Sequence, residues 1–154
     1  MAYASRNDTI GFAQRTRKNL EYIEAAFAEG ADVHVVTQLV TSLLGLVVFP
    51  MERNVAERLK ALNLLELESL GWPRWEFEIG SSQTLGDLMR HLRNAIAHCH
   101  IHFSSESRRL NEVYIRAEDQ TQRKPTSHWR VNIVASDLRI FCLKFIELVE
   151  QTIG

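Results

Sequence analysis

Two cysteines in 154 residues, Cys99 and Cys142, are too few for a disulfide framework, and a chain this long buries a core without one. A reducing, cytoplasmic setting is the reading that fits such sparing use of thiols. Long apolar runs are also scarce. The longest candidate, Val35 to Pro50, is short for a membrane span and is interrupted by Thr37, Gln38, Thr41 and Ser42. It reads as a buried helix. Met1 to Thr9 has no apolar centre, so it does not read as a signal peptide. Internal repeats, low-complexity tracts and linkers long enough to separate domains are missing, so residues 1–154 are expected to fold as one domain. No Gly-rich phosphate loop of recognised form occurs, and no Ser, Cys or Asp stands at a nucleophile-and-base spacing.

A net excess of one charge is lacking too: the formal net charge is -1. The distribution is uneven, however. Residues 1–84 hold 8 basic and 11 acidic side chains, whereas residues 85–130 hold 8 basic, 5 acidic and five of the six histidines. A locally basic, histidine-rich segment points to an anion site, not to a chain coated in positive charge.

Apolar spacing predicts mostly helix. Phe12, Leu20, Ile23 and Phe27 place a helix over about Thr9 to Glu29 with Gly30 as its C-cap, leaving Arg15, Arg17 and Lys18 on a solvated face. Asp32 is placed to cap a second helix from Val33 to about Phe49, ended by Pro50 and apolar on most of its circumference. Gly45 within it calls for close contact with another helix. Met51 to Ser69 reads as helix with an uncertain end, and Gly71-Trp72-Pro73-Arg74-Trp75 breaks it. The two tryptophans suit either base stacking or cover for the end of a bundle. Thr84 and Asp87 resemble a capping box opening a helix at Leu85, with Leu85, Leu88, Leu92, Ala95 and Cys99 as its core face. After His98 the period falls to two in three runs: around Ile101, from Val113 to Ala117, and from Trp129 to Ile133. Ser104 to Arg109 and Glu118 to Ser127 read as loops. Asp137 then opens a last helix with Leu138, Phe141, Cys142, Phe145, Leu148 and Val149 inward.

The chemistry gathers at Arg93-Asn94-Ala95-Ile96-Ala97-His98. Arginine grips phosphate with a planar fork, histidine exchanges a proton near neutral pH, and asparagine either bonds a phosphate oxygen or holds the imidazole in one tautomer. Such a set suits phosphoryl transfer without a metal: His98 takes the proton of a ribose 2′-hydroxyl while Arg93 stabilises charge on the non-bridging oxygens. One histidine leaves the departing 5′-oxygen without a proton donor. A second copy across a two-fold axis would supply it, and Ala95 and Ala97 are small enough for another helix to approach. The bland alternative is that Arg93 and His98 are simply solvated or paired with carboxylates. Arg90 and His91 flank the motif as substrate contacts or as a solvated face. His100 and His102 read as weak phosphate binders at the cleft edge or as solvent-facing strand residues. His98-Cys99-His100-Ile101-His102 also admits a metal reading with His91, but it lacks a second ligand pair at recognised spacing, so no metal site and no cofactor are expected.

That hexapeptide resembles the signature of the HEPN superfamily: arginine, a polar residue, three further residues, histidine. The helix-rich chain with a small β insertion before its last helix looks like a compact prokaryotic HEPN nuclease subgroup, and Leu43-Leu44-Gly45-Leu46-Val47-Val48-Phe49-Pro50 is similar to a stretch of it. The resemblance implies an all-α four- or five-helix bundle with a small antiparallel β hairpin or sheet before the last helix, and a homodimer joined through the motif helices. It implies metal-independent RNA cleavage leaving a 2′,3′-cyclic phosphate and a 5′-hydroxyl. Arg93, Asn94 and His98 match the family's arginine, polar residue and histidine. Members also include toxins, which pair with antitoxin proteins, defence effectors, and inactive modules that bind RNA or a protein partner.

Overall fold

The computed structural model describes residues 5–51, 57–120 and 128–153. The helices are α1 (Ser5–Ala28), α2 (Val35–Met51), α3 (Glu57–Lys60), α4 (Leu64–Ser69), α5 (Leu85–Ala97) and α6 (Ala135–Ile153). The strands are β1 (Glu76–Ile79), β2 (Ile101–Phe103), β3 (Tyr114–Asp119) and β4 (Trp129–Val134). The chain is thus mainly helical with a small antiparallel sheet.

α1 packs on α2 and α6, and α2 also meets α6 and α5. Leu39, Leu43, Leu46 and Val47 of α2 are buried on a broad face, as its all-round apolar character predicts. Gly45 is needed for close approach: the Phe12 ring of α1 lies 2.8 Å from where a Cβ would stand. Two ion pairs clamp α1 to α6, Arg139 with Glu24 at 2.7 Å and Arg17 with Glu150 at 3.1 Å. Arg17 is therefore an inter-helix partner, whereas Arg15 and Lys18 are exposed as expected. Leu138, Phe141, Cys142, Phe145 and Val149 are buried along α6. Burial pushes the Cys142 thiol up to about 12, so it stays a protonated core group.

Several boundaries move. α2 begins at Val35, not Val33, and the Asp32 carboxylate is engaged by Arg108 from the loop after β2. That hydrogen bond, with the attraction of the same guanidinium, holds the Asp32 carboxyl below its ordinary value. The helix also continues through Pro50 to Met51. The expected Met51 to Ser69 helix is broken at 61–63. There Asn63 Oδ1 accepts from the Leu65 N–H at 2.9 Å and caps α4. Trp72 and Trp75 stand edge-on to Phe141 at 5.5 and 5.1 Å, covering the end of the helical layer.

The sheet has the order β1-β4-β3-β2, every pair antiparallel. β1 was hidden from sequence because Glu76-Phe77-Glu78-Ile79 is short and two of its four residues are acidic. A register shift between Phe77 and Ile79 marks it as an irregular edge. Glu78 bonds Arg116 Nη2 at 2.8 Å and Arg130 Nη1 at 3.3 Å across the outer face. On the inner face Ile115 and Ala117 of β3 and Trp129, Val131 and Ile133 of β4 are buried, with α5 on β3 and α6 on β4. The Arg123-Lys124 pair and most of the loop ending at Ser127 lie outside the described residues, while Glu118 and Asp119 belong to β3.

Candidate functional site

α5 opens as expected. Thr84 Oγ1 accepts from the Asp87 N–H at 3.2 Å. The Asp87 carboxylate turns the other way, to Arg90 Nη2 at 2.8 Å. Leu85, Leu88, Leu92 and Ala95 are buried, along with Met89. Ala95 is thus spent on the chain's own core, and of the two alanines only Ala97 remains on the surface. Cys99, expected to close the core stripe, is exposed instead because the helix ends before reaching it.

That ending has a defined form. The Cys99 N–H bonds the Ile96 carbonyl at 3.1 Å and the His100 N–H bonds the Ala95 carbonyl at 2.8 Å, with Cys99 at φ 58°. These are the two bonds of a Schellman stop, which needs a left-handed residue. α1 and α4 end the same way with Gly30 and Gly71 in that position. His98 is the C-cap of α5 and exposed, and its N–H bonds the Asn94 carbonyl at 3.1 Å. The His100 carbonyl accepts from the Glu118 N–H at 3.0 Å, so the turn carrying His98 is tied both to its helix and to β3.

Arg93 is exposed on α5 and Asn94 is half-buried beside it. Lys60, Asp87, Arg90 and Arg93 line a groove of about 470 Å³ along this helix. α3 lies close enough there that a Cβ on Gly86 would stand 2.7 Å from Lys60 Cβ. Burial works to raise the Asp87 carboxyl. Hydrogen bonds from Arg90 and Ser82, with the attraction of His91 and Arg90, outweigh it and hold the group below its ordinary value.

Beneath the motif lies a residue that sequence reasoning missed. Asp119 is 2% exposed, and its Oδ2 accepts from Asn94 Nδ2 at 3.0 Å and faces His91 Nδ1 at 2.7 Å. A signal existed: Val113, Ile115 and Ala117 point inward at a period of two, and Asp119 is next in that register. His91 is 7% exposed and not on a solvated face; its ring stacks on Trp129 at 4.7 Å and 10°. Trp129 in turn donates its Nε1–H to Ser82 Oγ at 3.1 Å. Arg90 Nη2 lies 3.2 Å from His91 Nε2.

The expected residues are therefore brought together unequally. Arg90, Arg93, Asn94 and His98 share the outer side of α5 and its C-terminal turn. The His98 and His100 rings are 6.2 Å apart. His102 pairs with Arg116 across β2 and β3, opposite in register to the inward Ile115 and Ala117, so the sheet stands between it and α5. Trp72 and Trp75 line a separate groove of about 850 Å³ that does not include Arg93, Asn94 or His98. Among the described residues no three His, Cys, Asp or Glu side chains gather as a metal-binding group. No described helix is long and apolar enough to cross a membrane.

No curated protein and no solved structure matches the chain. A family model described as HEPN pEK499 p136 matches residues 1–153. With nearly every residue inside that match and the arginine-to-histidine motif on its late helix, the chain belongs to the HEPN pEK499 p136 family.

Proposed function

We propose that this protein is a metal-independent endoribonuclease that works as a homodimer, acting as a toxin or a defence and stress effector. The long helices α1, α2, α5 and α6 then make up the HEPN-type core, and the exposed side of α5 around Ala97 is the dimer contact. The observation that carries the reading is local. Arg93, Asn94 and His98 stand together at the end of one helix, with Asn94 fastened to a buried acid and His98 on a doubly tied turn. Family membership supports a nuclease or RNA-related role, and the chemistry of these side chains makes it concrete.

The reaction needs three things from the protein. His98 takes the proton from the ribose 2′-hydroxyl as the 2′-oxygen attacks the adjacent phosphorus. Arg93 holds the non-bridging oxygens as negative charge grows on them. The bond from phosphorus to the 5′-oxygen breaks, and that oxygen takes a proton from His98 of the second copy, leaving a 2′,3′-cyclic phosphate and a 5′-hydroxyl. Arg90 and Lys60, along the same groove, extend the positive surface for neighbouring phosphates. His100 lies beside His98 as a lesser contact, while His102, across the sheet, and His91, buried, do not share that surface.

The test is cleavage of RNA in excess chelator by wild type and by His98→Ala, both shown to be folded. Wild type is expected to cleave and leave cyclic phosphate ends, with His98→Ala slower by roughly 100-fold or more. Equal cleavage by the two removes His98 from the chemistry. No cleavage by wild type, with RNA still bound, returns the protein to a silent RNA-binding module.

A further inference from the structure

Asparagine beside the arginine can serve a nuclease in two opposite ways. Its amide nitrogen can donate to a phosphate oxygen, or its carbonyl oxygen can accept from an imidazole N–H and fix that ring's tautomer. The side chain alone does not choose between them. Its buried neighbour does.

Asp119 sits at the inner end of β3, and as a carboxylate it only accepts. Facing it at 3.0 Å, Asn94 must present its amide nitrogen, which leaves the carbonyl oxygen turned away from the strand. His98 follows Asn94 by one helical turn on the same side. The same Asp119 oxygen receives the Nδ1–H of His91 at 2.7 Å. At the other ring nitrogen, Nε2 lies 3.2 Å from Arg90 Nη2 and 3.6 Å from Asp87 Oδ2, so both nitrogens of His91 face partners. Stacking on Trp129, itself anchored to Ser82, stops this ring from turning. The acid thus has a rigid shell, the condition for orienting a group above it.

Building on the ribonuclease reading, we propose that Asp119 is the positioning residue of the site: it holds the Asn94 amide nitrogen inward and so turns the carbonyl oxygen outward, as an acceptor on the side of α5 that carries His98. Asn94 on this account orients the base and does not bind phosphate. Asp119 touches no substrate.

The experiment combines kinetics on an RNA substrate with side-chain NMR of the same proteins. Asp119→Asn keeps the shape but replaces a group that only accepts by one that also donates, so the Asn94 amide is no longer confined to one orientation. It should lower kcat by roughly 10- to 100-fold while KM stays within about threefold, the pattern of a lost orienting partner. In the Asn94→Ala background the same change should cost nothing more, because the path through Asn94 is already cut. In the wild type, one Asn94 amide proton should be protected from exchange and shifted by the carboxylate. That measurement needs no variant to fold. Wild-type kcat and KM in Asp119→Asn, a further full loss on top of Asn94→Ala, or an unprotected Asn94 amide overturns the assignment while leaving the ribonuclease standing. A wild type that cleaves no RNA overturns both.

Discussion

Among the described residues Cys99 is the one non-glycine with a positive φ. Three helices stop with the same pair of hydrogen bonds, two on glycine and one on Cys99 at φ 58°. For an L-residue that region costs about 1–2 kcal/mol, a cost that glycine escapes though it loses some of the gain to unfolded-state freedom. Cys99→Gly is therefore expected to raise stability by about 1 kcal/mol, read as a higher urea midpoint with an unchanged slope. A lower midpoint would mean that the thiol makes a contact worth more than the strain. The substitution leaves both bonds of the turn in place, so His98 keeps its position. Sequence could not show this, because a cysteine at the next step of an apolar stripe reads as core. Only the helix ending at Ala97 turns it outward. Asn94 illustrates the converse: its place beside Arg93 on the helix was legible, whereas its partner lies 25 residues away on another element.

At the scale of elements, α5 is held at its start by charge and at its end by the turn. Asp87 in its first turn faces the positive end of the helix dipole and binds Arg90, and its carboxyl is held below the ordinary value of 3.8. A group whose folded value is depressed stabilises above its unfolded value and loses that contribution as pH falls through the folded one. The stability gap between wild type and Asp87→Asn should accordingly be open near neutral pH and close in acid, as pH falls from the ordinary value of 3.8 through the lowered folded one. Urea unfolding at both pH values reads it, and a gap that persists in acid would assign the effect to shape instead of charge. The long helices were legible because their apolar faces repeat over many residues, as were β3 and β4 with their strict alternation. β1 was not, being short, acidic and an edge whose partner lies more than 50 residues on. The break at 61–63 escaped as well, since Asn63 is a cap only once the chain turns there to meet Thr84.

For the whole molecule, the question is whether one copy is enough. Each chain offers one exposed histidine at the end of α5 with an arginine and an oriented asparagine, while cleavage by 2′-hydroxyl attack needs both a base and an acid. His91 cannot be the second, because both its ring nitrogens face partners and it is buried against Trp129. His100 is close to His98 but follows it on the same turn, so it approaches the substrate from the same side. In the proposed homodimer, a second chain related by a two-fold axis across the Ala97 surface would bring an opposed His98 to serve as the acid. The consequence can be measured by mixing. If every site draws on both chains, wild type allowed to exchange subunits with an equal amount of His98→Ala should keep about a quarter of the activity of the same total protein as wild type, since only wild-type pairs cleave. Independent sites within each chain would instead keep about half. Light scattering or ultracentrifugation on the same mixtures fixes the pairing, and Ala97→Arg, which places like charges in contact across the axis, should give monomers that bind RNA and do not cut it.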